Sequence, residues 1–329
     1  MKKVYAKDLI QSEANTTFSS DFILSSVNIG KTKSGKEMIR LNIGDKTGSI
    51  ASVIWETVGL PADLLKDATI VYVTGVINYY NGKVQATVSS IAPRSPYSAD
   101  SDFEKATKFS IDEMWEKMSN YAWSFSNTQI GIVARSLMLD EKRSELFKRA
   151  PAATSMHHAF VGGLLEHTTQ MLDMADSLLN LPFFKDLNRD LCMFGVMFHD
   201  FGKIYEYESS AGFKATEQGI LVGHIAKTCA LIEVEALTFK IDDRIRDNLQ
   251  HVVLAHHGCL EYGSPVPMST PEAVFVHHVD NLHGTVFGFL QKVENDARPG
   301  DLAVRHGYDG SKVLVKRFND VIKEIEETK

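Results

Sequence analysis

The sequence predicts an α+β chain of two domains, a small N-terminal β-barrel followed by an all-α domain. Three observations predict it. Short runs with loosely alternating apolar and polar residues fill residues 1–95, separated by turns rich in Gly, Lys and Asn. A stretch with Pro93, Pro96 and several serines follows. Beyond it, apolar residues recur at helical spacing.

Phe18 to Ile29 is the first expected strand, closed by the turn Lys31-Thr32-Lys33-Ser34-Gly35-Lys36. Met38 to Ile43 is the second. Asp45-Lys46-Thr47-Gly48 turns tightly into the third, Ser49 to Trp55. Pro61 to Lys66 reads as a short helical insert. Thr69 to Ile77 is the fourth strand, and the hairpin signal Asn81-Gly82 leads into the fifth, Val84 to Ile91. Five short strands with a helix between the third and fourth is the layout of an OB-fold barrel, with a generic small barrel as the competing architecture. The domains are placed at 1–95 for the barrel, 96–108 for a linker and 109–329 for the helices. Helices are expected over Ile111–Ser124, Thr128–Arg149, Leu164–Leu179 and Leu187–His199. Four more are expected over Ile220–Phe239, Asp243–His256, Glu272–Val293 and Lys312–Ile325.

The chain is 44% hydrophobic and 23% charged, which permits an ordinary core and argues against disorder. The net charge of −7 is uneven: residues 1–95 carry eleven basic against eight acidic residues, so the remainder is the acidic part. A mildly basic front end fits a nucleic-acid module joined to a metal site. Cys192, Cys229 and Cys259 are odd in number and far apart, with no CxxC, which suits reduced thiols in a cytoplasmic protein. No apolar run follows Met1-Lys2-Lys3, so no secretory signal is expected, and no run suits a membrane span.

All twelve histidines lie between residues 157 and 306. The centre of the pattern is His199-Asp200-Phe201-Gly202-Lys203, at the end of the apolar helix Leu191 to Phe198. An adjacent His and Asp at a helix end can reach one metal, with a carboxylate oxygen left to bridge to a second. Gly202 would allow a sharp turn, and Lys203 would stand one turn away, where a phosphate could bind. Upstream lie His157-His158 and Gly162-Gly163-Leu164-Leu165-Glu166-His167-Thr168. Downstream lie Gly223-His224, Ala255-His256-His257-Gly258 and His277-His278-Val279-Asp280. Each falls on a separate expected helix or at its end, and helical folds build metal sites from facing helices.

In this combination and order the residues resemble the HD-domain metal-dependent phosphohydrolase superfamily, matched here by His167, His199-Asp200, His224, His256 and Asp280. With Gly-Gly-Leu-Leu-Glu-His-Thr, His-His-Gly and Glu-Tyr-Gly-Ser-Pro (261–265) behind an OB-like barrel, the chain resembles the YhaM type of bacterial 3′-to-5′ exoribonuclease.

That resemblance implies two divalent metal ions. Imidazole-rich ligands favour Mn²⁺, with Co²⁺ or Fe²⁺ as alternatives to Mg²⁺, and the lack of thiolate ligands argues against structural zinc. Asp200 would bridge; His167, His199 and Asp280 would complete one site, and His224 and His256 the other. A metal-activated water would attack phosphorus. Lys203, with His157 or His158 opposite, would hold the phosphate, and His257 is open among a metal ligand, a phosphate contact and a helix-end surface residue. Glu166 would support His167 from behind. His251, His277, His278, His283 and His306 are expected to be structural or surface residues.

Strand binding falls to the barrel, where OB-folds combine basic grooves with stacked aromatics. Trp55, Tyr72, Tyr79 and Tyr80 are the aromatic candidates; Lys31, Lys33, Lys36 and Arg40 are the basic ones. The expected function is degradation of single-stranded RNA, with single-stranded DNA as a further substrate, to nucleoside 5′-monophosphates. Polarity and a homo-oligomeric state follow from the resemblance alone. The competing functions are a nucleotide or cyclic-dinucleotide phosphohydrolase and a non-catalytic nucleic-acid-binding protein.

Overall fold

A computed structural model of the chain describes residues 2, 4–32, 34–55, 61, 63–67, 69–80, 83–153, 160–210, 212–297, 301–305 and 310–327. Lys33, Asn81, Gly82, His157, His158 and His306 lie outside the described residues. The chain forms two compact units, Met1–Lys108 with Tyr207–Ala215, and Phe109–Glu206 with Thr216–Lys329.

The first unit opens with a short helix, α1 (Ala6–Ile10), which the sequence pattern did not announce. Five strands follow: β1 (Thr17–Lys31), β2 (Glu37–Asp45), β3 (Gly48–Ile54), β4 (Ile70–Tyr80) and β5 (Lys83–Pro93). They close in the order β1-β2-β3-β5-β4. β1 is long enough to pair with both β2 and β4, and a register shift between Ser25 and Asn28 bends it from one partner to the other. A parallel pairing of Ser52–Val53 with Ala86–Thr87 completes the circle. Closure leaves no edge, and the alternating apolar residues Phe22, Leu24, Ile43, Val73 and Ile77 fill the interior. The expected insert at Pro61–Lys66 is a turn among its described residues, held by the Leu64 amide on the Pro61 carbonyl.

The second unit is helical: α2 (Ile111–Trp123), α3 (Thr128–Leu139), α4 (Glu141–Arg149), α5 (Gly163–Leu179), α6 (Arg189–Phe198) and α7 (Lys203–Glu206). A hairpin of β6 (Tyr207–Ser210) and β7 (Gly212–Ala215) comes next and groups with the barrel unit. Then come α8 (Glu217–Val222), α9 (His224–Thr238), α10 (Asp243–Leu254) and α11 (Pro271–Asp296). A small hairpin, β8 (Ala303–Arg305) with β9 (Lys312–Leu314), precedes α12 (Phe318–Glu327).

Three expected helices are broken. Asp140 ends α3 in an extended conformation and caps α4, its carboxylate accepting from the Arg143 amide at 2.8 Å. Gly223, at φ 72°, separates α8 from α9. Lys312 to Leu314 pair as a strand, so the last helix starts at Phe318.

α6 is the axis of this unit. Asp190 to Phe198 are buried without a break, and the helix packs against α5, α10 and α11. A helix apolar all round belongs inside. Phe194, Phe198 and Phe201 pack in series, and Phe147 of α4 stacks on Phe201. Phe198→Ala should destabilise the helical unit by about 3–5 kcal/mol, from lost transfer energy plus an unfilled cavity. Urea unfolding followed through the helical signal measures this, and a loss under about 1 kcal/mol would contradict close packing at this position.

Candidate metal centre

The end of α6 delivers His199 and Asp200 into a ring of ligand-type side chains. α5 contributes His167, the start of α9 His224, the end of α10 His256 and His257, and α11 Asp280. Two clusters result. His167, His199 and Asp280 form one, and His224, His256 and His257 the other; within each, the ligand atoms lie inside 4.8 Å of one another.

Asp200 lies between the clusters. Its Oδ1 is 3.3 Å from His224 Nε2 and 3.8 Å from His256 Nε2. Its Oδ2 is 3.3 Å from His199 Nε2 and 2.7 Å from Lys203 Nζ. In the other cluster His167 Nε2 is 3.2 Å from Asp280 Oδ1 and 3.3 Å from His199 Nε2.

The turn after Asp200 holds α9 close. The expected turn is present, but Gly202 makes it outside the left-handed region, and what the missing Cβ supplies is space. A Cβ there would stand 2.2 Å from the His224 carbonyl oxygen. The Gly202 amide donates to Thr228 Oγ1, which donates in turn to that same carbonyl. Lys203 folds back, donating to the Ala152 carbonyl as well as to Asp200.

Three imidazoles have their tautomer set by groups that can only accept. His199 Nδ1 donates to the Val196 carbonyl at 3.0 Å, and His256 Nδ1 to the Val253 carbonyl at 2.7 Å. Both carbonyls belong to the last turns of their helices. His224 Nδ1 donates to the Glu206 carboxylate at 2.6 Å. Each ring therefore turns an Nε2 lone pair inward. His277 Nδ1 donates to the His256 carbonyl, bracing the α10 end.

These lone pairs face one another and a carboxylate. Asp200 Oδ1, His224 Nε2, His256 Nε2 and His257 Nδ1 are buried side-chain atoms with no hydrogen-bond partner. Buried acceptors converging without a donor are costly unless a cation joins them, so the residues present fit divalent metal ions. Burial pushes the Cys192 and Cys229 thiols up to about 12, so neither supplies a thiolate.

The charge states of His256, His257, Asp200 and Asp280 agree with that fit, whereas His199 is drawn toward its protonated form. Burial, with His199 beside it, holds His256 well below the ordinary histidine value, and burial also lowers His257. Both are thus neutral and able to ligate. Burial opposes ionisation of Asp200, but Lys203, His199 and His224 outweigh it and hold the carboxyl well below its usual range. Burial likewise opposes ionisation of Asp280, and the His167 hydrogen bond and His199 outweigh it. Burial would also lower His199, yet Asp200 and Asp280 reverse the direction and raise it above 6.5.

Of the other expected residues, Trp55, Tyr79 and Tyr80 are 51%, 50% and 64% exposed, which excludes a core role for them. Tyr72 is half-buried, and Lys31, Lys36 and Arg40 are exposed. Tyr79 donates its hydroxyl hydrogen to the Ser12 carbonyl. Glu166 is buried and accepts from Gln170 Nε2 at 3.1 Å. Glu206 was not singled out from sequence, because nothing in its spacing marks it as the partner of a histidine 18 residues on. His283, expected to be structural or surface, lies against His167.

Comparison with known proteins bears on both units. Residues 24–94 match the family described as OB-fold nucleic acid binding domain, and residues 164–285 match the HD domain family. A 3′-5′ exoribonuclease YhaM from Geobacillus sp. is 33% identical over 304 residues, covering 91% of this chain and 92% of its own. The chain belongs to the YhaM family. The YhaM of Bacillus subtilis is 30% identical over 302 residues, covering 91% of this chain and 95% of its own. The matched HD segment contains His167, His199, Asp200, His224, His256, His257 and Asp280.

Because a ligating His199 must be neutral and its pKa is raised, protons compete with metal below that pKa. Divalent binding should strengthen as pH rises through and beyond the ordinary histidine value of 6.5, by up to about tenfold per unit for each proton displaced. Competition titration of Mn²⁺ or Co²⁺ across that range measures it. An affinity independent of pH would argue against His199 as a ligand.

Proposed function

We propose that this YhaM-family chain is a metal-dependent 3′-to-5′ exoribonuclease that releases nucleoside 5′-monophosphates from single-stranded RNA. The observation that carries the proposal is Asp200, whose two carboxylate oxygens face two separate ligand clusters. That arrangement suits a pair of ions, and the imidazole-rich donor set favours Mn²⁺, Co²⁺ or Fe²⁺ over Mg²⁺.

His167, His199 and Asp280 would hold one ion and His224, His256 and His257 the other, with Asp200 shared. Bound there, divalent ions lower the pKa of a water and offset charge building on the phosphoryl oxygens. The chain's own groups do the rest. Glu206 and the Val196 and Val253 carbonyls keep three rings oriented. Lys203 supplies a fixed positive charge beside Asp200, positioned to meet a non-bridging phosphate oxygen. His257, placed among ligand atoms, is assigned to the metal rather than to the substrate.

The barrel is assigned to strand capture. Its exposed Trp55, Tyr79 and Tyr80 offer π-faces for bases, and Lys31, Lys36 and Arg40 offer charge for phosphates. A mononucleotide or cyclic dinucleotide would need no such module. Among the described residues no helix is long and apolar enough to cross a membrane. A homo-oligomer is part of the proposal; Leu282, Val286 and Leu290, exposed one turn apart along α11, would be covered in it.

Asp200→Ala should abolish metal-dependent release of mononucleotides from single-stranded RNA and lower the bound metal. Near-normal turnover with unchanged metal content would sink the proposal. Lys203→Ala should lower kcat on the order of 100-fold with metal content intact, as for loss of one electrostatic stabiliser. Metal loss in that variant would instead make Lys203 a support for Asp200. For the barrel, Lys36→Ala with Arg40→Ala should flatten the salt dependence of RNA binding by about 1.4 in slope, about 0.7 per lost phosphate contact. An unchanged slope would remove these two residues from the strand path.

A further inference from the structure

His167 differs from the other three imidazoles in what stands behind it. Its Nδ1 faces not a carbonyl or a carboxylate but another ring nitrogen, His283 Nδ1, at 3.1 Å. Two neutral imidazoles in contact leave open which one holds the proton. Were His167 to accept there, its own proton would sit on Nε2. That proton would then point at His199 Nε2 and Asp280 Oδ1, where a metal must bind.

The ambiguity is resolved two residues further back. His283 Nε2 is 2.9 Å from Gln170 Oε1, and Gln170 Nε2 is 3.1 Å from Glu166 Oε1. The Glu166 carboxylate only accepts, so the Gln170 amide must present its NH₂ to Glu166 and its oxygen to His283. That oxygen also only accepts, so His283 holds its proton on Nε2 and offers a lone pair at Nδ1. His167 must then donate from Nδ1, which frees its Nε2 lone pair. We propose that Glu166, Gln170 and His283 form a relay of positioning residues that sets the tautomer of His167 for metal binding. This inference rests on the metal-site reading above and extends it to residues which bind no ion themselves.

Helical spacing builds the relay. Glu166 and Gln170 are four apart on α5 and share a face with the adjacent His167. Asp280 and His283 are three apart on α11, so one helix grips both nitrogens of the His167 ring. Phe287, one turn on, lies parallel to the His283 ring, with centroids 5.9 Å apart and planes at 11°, which fixes its plane.

The test is made on the full-length chain. In metal-free protein labelled with ¹⁵N at histidine, NMR should place the His167 proton on Nδ1 and the His283 proton on Nε2. Gln170→Leu should replace that single pattern by a mixture of tautomers. A His167 proton found on Nε2 in the unaltered chain overturns the relay. Titration with Co²⁺ gives the second readout. His283→Leu should weaken binding by about 10–100-fold, the usual cost of losing the partner of a metal-ligating histidine. His283→Glu, which can only accept from His167 Nδ1, should restore affinity close to that of the unaltered chain. If the glutamate variant, shown folded, binds as weakly as the leucine variant, His283 acts by packing and the relay is wrong. Should the unaltered chain bind no divalent ion, the metal-site reading fails, while the metal-free NMR measurement still decides the relay.

Discussion

The buried carboxylate of Asp200 is the constraint from which the helical unit is best understood. An ionised carboxylate taken out of water demands compensation, and here it comes from a lysine and several imidazoles brought in by different helices. α6 can carry such a group because it is apolar from Leu191 to Phe198 and packed among α5, α10 and α11. The aromatic series from Phe194 to Phe201 and Phe147 fixes the rotation of that helix, and with it the direction in which His199 and Asp200 leave its end. Packing and chemistry are therefore coupled. A shift of α6 by one residue would turn the carboxylate away from its partners.

Much of this was legible in the amino-acid order. The clustering of histidines after residue 156, and the His-Asp pair at the end of an apolar run, single out side chains that the fold brings within a few ångströms of one another. The five barrel strands were legible because period-two alternation is a local signal and their turns are chemically distinct. Breaks within apolar periodicity were harder. Asp140 interrupts a helical pattern without disturbing its period, because a cap works through its own backbone angles. The same holds for Gly223. The strand at Lys312–Leu314 exists only through its pairing with Ala303–Arg305, which spacing along the chain does not encode. The contacts of His283 were not legible for a related reason: Gln170, its partner at 2.9 Å, is 113 residues away in sequence.

The two units meet different physical demands. The barrel presents exposed aromatics on a closed sheet with an apolar interior, an arrangement that suits sequence-tolerant stacking. The helical unit needs ligand atoms fixed to within fractions of an ångström. There, His167, His199, Asp200 and His256 are buried, and His199, His224 and His256 are each oriented through Nδ1 by a specific acceptor. The acidic balance of the helical region does not oppose this division. Affinity for a polyanion depends on local charge at the strand path, and chemistry depends on the cations its acidic groups recruit.

The bracing of the histidines also has an evolutionary side. His199 and His256 are oriented by main-chain carbonyls, and no side-chain replacement at Val196 or Val253 deletes a carbonyl. Orientation of His224 depends on a single carboxylate, and that of His167 on a succession of three side chains, so each can be lost by point mutation. Sequence drift should accordingly be unequal around the centre. Val196 and Val253 are free to vary within the limits of packing, whereas Glu206, Gln170 and His283 should change only together with whatever replaces the bond they make. Homologous chains that have lost catalysis but kept their fold should show that loss first at His167 or His224, the rings whose alignment is inherited through side chains.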